Sequence, residues 1–526
     1  MDHVASIALA VLAAAALSAC SKREPLPPAS PPVASAANPA PADGGVAWLR
    51  AATDVEVDAA FARARAEAKP VFVYWGAKWC PPCNQLQATL FNRQDFIERS
   101  RAFVAVYVDG DKPGAQKLGT RFAVRGYPTT VLFDRDGREV TRLPGEVDAQ
   151  QYHEVLTLAL SARRPAGELL ALARAGGQGL TESDWRLLAY YAWETDQQQL
   201  VGAGGAGPLL RELAQACPPA FADSAMRLRL KALAAVEAKA APAPDAAAQS
   251  APVLGLLGDA ASARRHVDVL ALNARPIVAA LSAPGSAQRR SLVAAYDTAL
   301  ARLQADATLS RADRLVALVA RVRLAQPDVP QALQAEVREM ATRFDREISD
   351  GYERQAVITT AAWALEQAGL MNDSDALLKA NLAKSHSPYY LMSDLADNAK
   401  KRGDNAAALD WSAQAFERSE GTSTRLQWGA SHLRLLTELA PEDAARIESV
   451  AEQLIDEAAA QPDAFDARSG RSMQRIGKLL RDWDAMGEHA AMQRRLQQRL
   501  DVVCARLPRG EARTLCEGVL RPGPAT

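Results

Sequence analysis

"WGAKWCPPCNQ", residues 75–85, sets two cysteines two residues apart behind a tryptophan, with a pair of prolines between them. The run just before it, "VFVYW" at 71–75, is an unbroken series of β-branched and aromatic residues of the kind that forms a buried strand. The run just after it, "NQLQATLF", continues as a helix. Cys80 and Cys83 therefore stand at a strand-to-helix turn. Pro81 and Pro82 suit that place, because the N–H groups of a first helical turn have no intrahelical partner to lose. Two cysteines so placed can hold a metal, staple the fold or exchange electrons.

Working outward, "VDAAFARARAEAKP" at 57–70 has helical spacing and stops at proline. Downstream come a strand at 102–109, a short helix near 114–122, and "RGYPTTVLFD" at 125–134. A hairpin turning at Asp136-Gly137 follows, then "REVTRL" and a last helix over about 149–161. This order, with "WCPPC" and "GYPT" as two distant motifs in agreement, resembles the thioredoxin fold, an α/β architecture, over a domain at 47–165. Within that superfamily "KPVFVYWGAKWCPPC" followed by "ATLFNRQDF" is most similar to the C-terminal domain of the transmembrane electron carrier DsbD and its periplasmic relatives.

The resemblance implies a thiol–disulfide oxidoreductase with no cofactor. Its partners would be protein disulfide or dithiol substrates and an upstream thiol electron donor. Cys80 would be the nucleophile, since a helix N-terminus stabilises the attacking thiolate, and Cys83 the resolving thiol. Pro128 would be cis and would face the pair, with Trp79 and Tyr127 beside it as docking residues. Reductive relatives point to the reducing direction. The sequence departs from thioredoxins at Tyr74, where they carry a buried aspartate that assists deprotonation of the resolving thiol. Zinc would require two further ligands at suitable spacing, while the six histidines are scattered and Cys504 and Cys516 belong to another domain. A structural disulfide closing so short a loop restricts the unfolded chain very little. Redox exchange is the expected chemistry, and no metal is expected.

The N-terminus sets the compartment. Residues 4–17 form an apolar run of signal-peptide length ending in "LSAC" at 17–20, which resembles the lipobox of bacterial lipoproteins. That resemblance implies lipidation of Cys20, removal of residues 1–20 as a signal peptide, and a membrane anchor in the periplasm, on the outer membrane since Ser21 is not aspartate. The n-region departs from the pattern in having no Lys or Arg. Residues 21–46 are rich in Pro and Ala and read as an extended linker. An oxidising compartment follows.

The rest of the 526 residues is too long for one core. Lys plus Arg (61) nearly balance Asp plus Glu (62), so no basic face points to nucleic acid. Residues 166–526 read as helix after helix, with a Pro/Ala segment at 240–252 as a sub-boundary. "ALEQAGLMNDSDALLKANLAKSHSP" (364–388) matches "LADNAKKRGDNAAALDWSAQAFERS" (395–419), with Gly369 aligned on Gly403. This is similar to tetratricopeptide (TPR) repeats and implies an all-α solenoid that binds peptides or proteins. Cys504 and Cys516 bracket a helix-turn-helix corner and read as a structural disulfide; Cys217 is left as a buried apolar thiol. The alternative function is a helical-repeat binding or assembly lipoprotein in which the thioredoxin-like domain is accessory.

Overall fold

The computed structural model describes residues 44–196, 199–202, 204–236 and 246–521. The expected signal peptide, Cys20 and the expected linker up to residue 43 lie outside them. Val46, assigned to the linker, is already 7% exposed and packed into the core.

Five strands form one sheet in the order β1-β3-β2-β4-β5. They are β1 (Leu49–Ala51), β2 (Val71–Gly76), β3 (Val104–Asp109), β4 (Thr129–Phe133) and β5 (Glu139–Leu143). β1, β3 and β2 run parallel, whereas β4 is antiparallel to β2 and β5 to β4. Five helices accompany them: α1 (Asp54–Ala66), α2 (Pro81–Leu86), α3 (Gln94–Ser100), α4 (Ala115–Arg121) and α5 (Ala149–Leu160). α1 starts at a capping box, in which Thr53 Oγ1 accepts the Glu56 N–H while Glu56 accepts the Thr53 N–H.

β2 is buried on both faces. Phe72 and Tyr74 point to one side, among Phe91, Phe96 and Phe103. Val71, Val73 and Trp75 point to the other, among Phe61, Val106 and Val131. Alternation across the pleat produces this division. The first of the two cores does not stop at the domain edge: it continues through Leu169, Trp185, Tyr191 and Leu210 of the helical region.

Among the described residues no strand follows β5, and helices run from Ala166–Arg174 to Glu511–Gly518. The two similar segments are helical hairpins, Gly351–Gln367 with Met371–Asn381 and Pro388–Lys401 with Asn405–Arg418. Gly369 and Gly403 turn them at φ of 79° and 77°, where a side chain would be strained. The segment read as a sub-boundary at 240–252 is in its second part a helix, Ala246–Gly258, with Pro252 inside it. Pro252 lies past the first turn and forfeits one intrahelical hydrogen bond; the burial of Val253, Leu256 and Leu257 in the core opposes that loss. Among the described residues no helix is long and apolar enough to cross a membrane.

Two histidines of the helical region, His266 and His432, are buried, and burial pulls both pKa values down from 6.5 to about 4. The unfolded chain then binds protons that the folded chain refuses between these values. Stability contributed by the neutral rings is complete above about pH 6.5 and is lost as pH falls towards about 4. The urea midpoint should fall over that window, and His432→Gln should flatten the fall; an unchanged slope in the variant would refute the assignment.

Candidate active site

Cys80 occupies the N-cap position of α2 with Pro81 as first helical residue, and Cys83 follows one turn on. The two sulfurs are bonded to each other, with Cα atoms 5.2 Å apart. The Cys83 N–H points at Cys80 Sγ (3.3 Å), so the donor that would solvate a Cys80 thiolate is already aimed at it. Asn84 holds the turn from below, donating through Nδ2 to the carbonyls of Lys78 and Cys80, each at 2.8 Å. Beyond Leu86 the helix widens into a π-turn at Gln87–Phe91.

The Tyr127–Pro128 peptide is cis. Pro128 packs against Gly145, whose place admits no side chain: a Cβ there would lie 2.8 Å from Pro128 Cγ. Tyr74, in the position of the thioredoxin aspartate, is 2% exposed, and burial drives its pKa far up. It is a fixed neutral phenol and takes no proton from Cys83.

Both cysteines are only 2% exposed, and the helical region covers the residues just before them. Trp79 lies between the ring of Tyr390, stacked at 6.2 Å, and the edge of Trp428 at 5.0 Å. The Arg468 guanidinium sits over Trp79 at 4.5 Å and over Tyr127 at 5.3 Å. Its two terminal nitrogens are buried without hydrogen-bond partners, and burial lowers its pKa. The Trp79 carbonyl accepts from Gln355 Nε2 (3.3 Å), and Lys78 pairs with Glu420 (3.1 Å).

Asp111 is the hub of this contact. One carboxylate oxygen accepts from Trp79 Nε1 (3.1 Å), and the other accepts from the N–H (3.0 Å) and hydroxyl (2.6 Å) of Thr424. Burial raises its pKa, with Arg468 opposing. Gly421, at φ 89°, allows the approach, since a Cβ there would fall 2.4 Å from Asp111 Cβ. On α4, Gln116 donates to the Tyr127 hydroxyl (2.8 Å) and accepts the Arg468 N–H (2.9 Å), while its own N–H reaches Asp463 (2.8 Å).

Cys80 and Cys83 are thus bonded at the start of α2, Pro128 is cis and packed on Gly145, and Trp79 and Tyr127 are brought together under Arg468. Cys504 and Cys516 are bonded to each other, Cα atoms 5.6 Å apart, between the helices Ala490–Arg506 and Glu511–Gly518. Cys217 is a free thiol, 4% exposed, with its pKa pushed up to about 11 by burial. Sequence reasoning missed Asp111, Gln116 and Arg468. Nothing local marks them, because the contacts that join them to the helical region span hundreds of residues of chain.

A five-stranded mixed sheet with a disulfide at the N-terminus of α2 and a cis-proline just before β4 defines a thioredoxin-like domain. Residues 57–160 match the family model of the thioredoxin-like domain. The thiol:disulfide interchange protein DsbD of Ralstonia nicotianae is 29% identical over 165 residues, 30% of this chain and 27% of that protein. DsbD 1 of Pseudomonas aeruginosa is 30% identical over 116 residues, 21% and 20% of the two chains. DsbD of Yersinia pestis is 32% identical over 94 residues, 17% and 16%. The chain therefore spans about a quarter or less of the length of these relatives.

Proposed function

We propose that this chain is a periplasmic thiol–disulfide oxidoreductase that exchanges disulfides with protein substrates in the reducing direction, held at the membrane by a lipid on Cys20. The observation that carries the reading is the Cys80–Cys83 bond at the N-cap of α2. The interchange activity printed in the names of the relatives supports it.

In the reduced protein the Cys80 thiolate attacks one sulfur of a substrate disulfide. A mixed disulfide forms and one substrate thiolate leaves, taking up a proton. Cys83 then loses its proton and attacks Cys80 Sγ, which releases the second substrate thiol and closes the bond seen here. Two electrons pass to the substrate, and an upstream dithiol must return them.

Equilibrating the protein with dithiothreitol and glutathione buffers tests this reading by measuring the potential of the pair. A reductant lies near the roughly −270 mV of thioredoxin and an oxidant near the roughly −120 mV of DsbA. A pair with no reversible dithiol–disulfide equilibrium would end the enzymatic reading.

The covering of Trp79 and Tyr127 by Arg468 and Trp428 favours one second reading, a binding or assembly lipoprotein in which the thioredoxin-like domain is accessory. Under it Cys80→Ser keeps biological function.

A further inference from the structure

Exchange at Cys80 requires a foreign sulfur to reach its Sγ, yet both cysteines are 2% exposed. What packs on the cysteine turn from outside the thioredoxin-like domain is the helical region. Its helix Gly351–Gln367 lies along α2. Gln355 of that helix donates to the Trp79 carbonyl (3.3 Å), and His386 donates from Nε2 to the Lys78 carbonyl (3.0 Å). The Trp79 ring is held by Tyr390, Trp428 and Arg468.

Three features of this contact are unfavourable. Both terminal nitrogens of Arg468 are buried without hydrogen-bond partners among the described residues. Asp111 sits where burial raises its pKa. Ala467, whose N–H donates to Thr120 Oγ1 of α4 (3.1 Å), is held at φ 37°, in the left-handed region that a side chain disfavours. Against them stand the aromatic packing on Trp79 and the two Thr424 donors to Asp111 (3.0 and 2.6 Å). Separating the two surfaces lets water reach the guanidinium and the carboxylate, and frees Ala467 from α4 to take an ordinary φ. A contact that joins good packing to unpaired charge and local strain is marginal, and such features gather in parts that switch.

We propose that this contact is an autoinhibitory latch. In the closed form seen here the helical region holds the cysteine turn, Trp79 and Tyr127 covered. Exchange at Cys80 proceeds from an open form in which Arg468 has left Trp79 and Tyr127, and Thr424 has left Asp111. The proposal rests on the oxidoreductase reading above and adds regulation to it, with the helical region as the gate. A change that crowds the closed contact raises the open population and with it the rate at the pair; a change that relieves strain in the closed contact lowers both.

The test uses the oxidised full chain and follows reduction of the Cys80–Cys83 bond by excess dithiothreitol, with the freed thiols alkylated and mapped by mass. Gly421→Ala sets a methyl 2.4 Å from Asp111 Cβ. It should speed reduction roughly tenfold. Ala467→Gly removes the strain of the closed form and should slow reduction several-fold. Gly403→Ala supplies the control: its φ of 77° is close to the 89° of Gly421, and a Cβ there meets nothing within 4 Å. It should be reduced at the wild-type rate. Unchanged rates in Gly421→Ala and Ala467→Gly, or a rise in Gly403→Ala equal to that in Gly421→Ala, would overturn the latch. The potential of the pair decides the oxidoreductase reading separately: a reversible dithiol–disulfide equilibrium keeps that reading whichever way the latch falls, and its absence ends it.

Discussion

Replacing Cys80 with serine should bring disulfide exchange by this chain down to the uncatalysed rate, whereas replacing Cys83 should turn it into a trap. The difference follows from where the two sulfurs sit. Cys80 is the N-cap of α2 and receives the Cys83 N–H at 3.3 Å, so the helix end stabilises a thiolate at that sulfur. A serine hydroxyl there stays protonated and does not attack a disulfide. Cys83 lies a turn inside the helix and contributes only after the first attack. In Cys83→Ser the mixed disulfide forms at Cys80 and cannot be resolved. Intact-mass analysis without reductant should then show one substrate half joined to the chain. Cys217 does not substitute: it stands at the C-terminal end of the helix Ala206–Ala216, and burial pushes its pKa up to about 11, so it carries little thiolate. Retained turnover in Cys80→Ser, or an adduct mapped to Cys217, would refute the assignment of roles.

The cysteine turn and the order of strands and helices around it were legible in the sequence, because each rests on local patterns. β2 is an apolar run, α2 begins at prolines, and Gly137 turns the hairpin between β4 and β5 at φ 89°. β1 was not legible: three residues, "LRA", carry no period, and they become a strand only because β3 offers an edge. The helical region was legible as helices but not as a cover. Its contacts with the site run through Asp111 to Thr424, Gln116 to Arg468 and Gln85 to Asp313, each between segments with no shared pattern. Arg468 illustrates the limit. An arginine in the first turn of a helix reads as a solvated charge, and only the folded chain lays it over Trp79 and Tyr127. The resemblance to thioredoxins made Trp79 and Tyr127 exposed docking residues, and nothing in residues 47–165 reveals that the same chain covers them.

Asp268→Ala should cause the largest loss of stability among single changes in the helical region. Arg227 and Asp268 are 0% and 1% exposed at their side chains and form a two-pronged pair at 3.0 and 2.6 Å. The guanidinium also lies 3.8 Å from the Tyr190 ring centroid and donates to the Ala189 carbonyl at 3.2 Å. Burial pushes the Asp268 carboxyl up, but the Arg227 charge and hydrogen bonds outweigh it and hold the group below its ordinary pKa. Removing Asp268 leaves a cation that cannot shed its proton in a site closed to water, and breaking a buried pair in this way costs about 3–5 kcal/mol. Removing Arg227 instead leaves a carboxylate that can neutralise itself by taking up a proton, an escape closed to the guanidinium. Replacing both residues by apolar side chains of similar size, Arg227→Met with Asp268→Leu, removes the unpaired charge and should recover most of the loss, since a buried pair exchanged for packing is often close to neutral. Chemical unfolding followed by the fluorescence of Trp185 and Trp193, both buried on the segment that carries Ala189 and Tyr190, reads the effect. A double variant as unstable as Asp268→Ala alone would show that packing at this site, not the uncompensated charge, sets the loss.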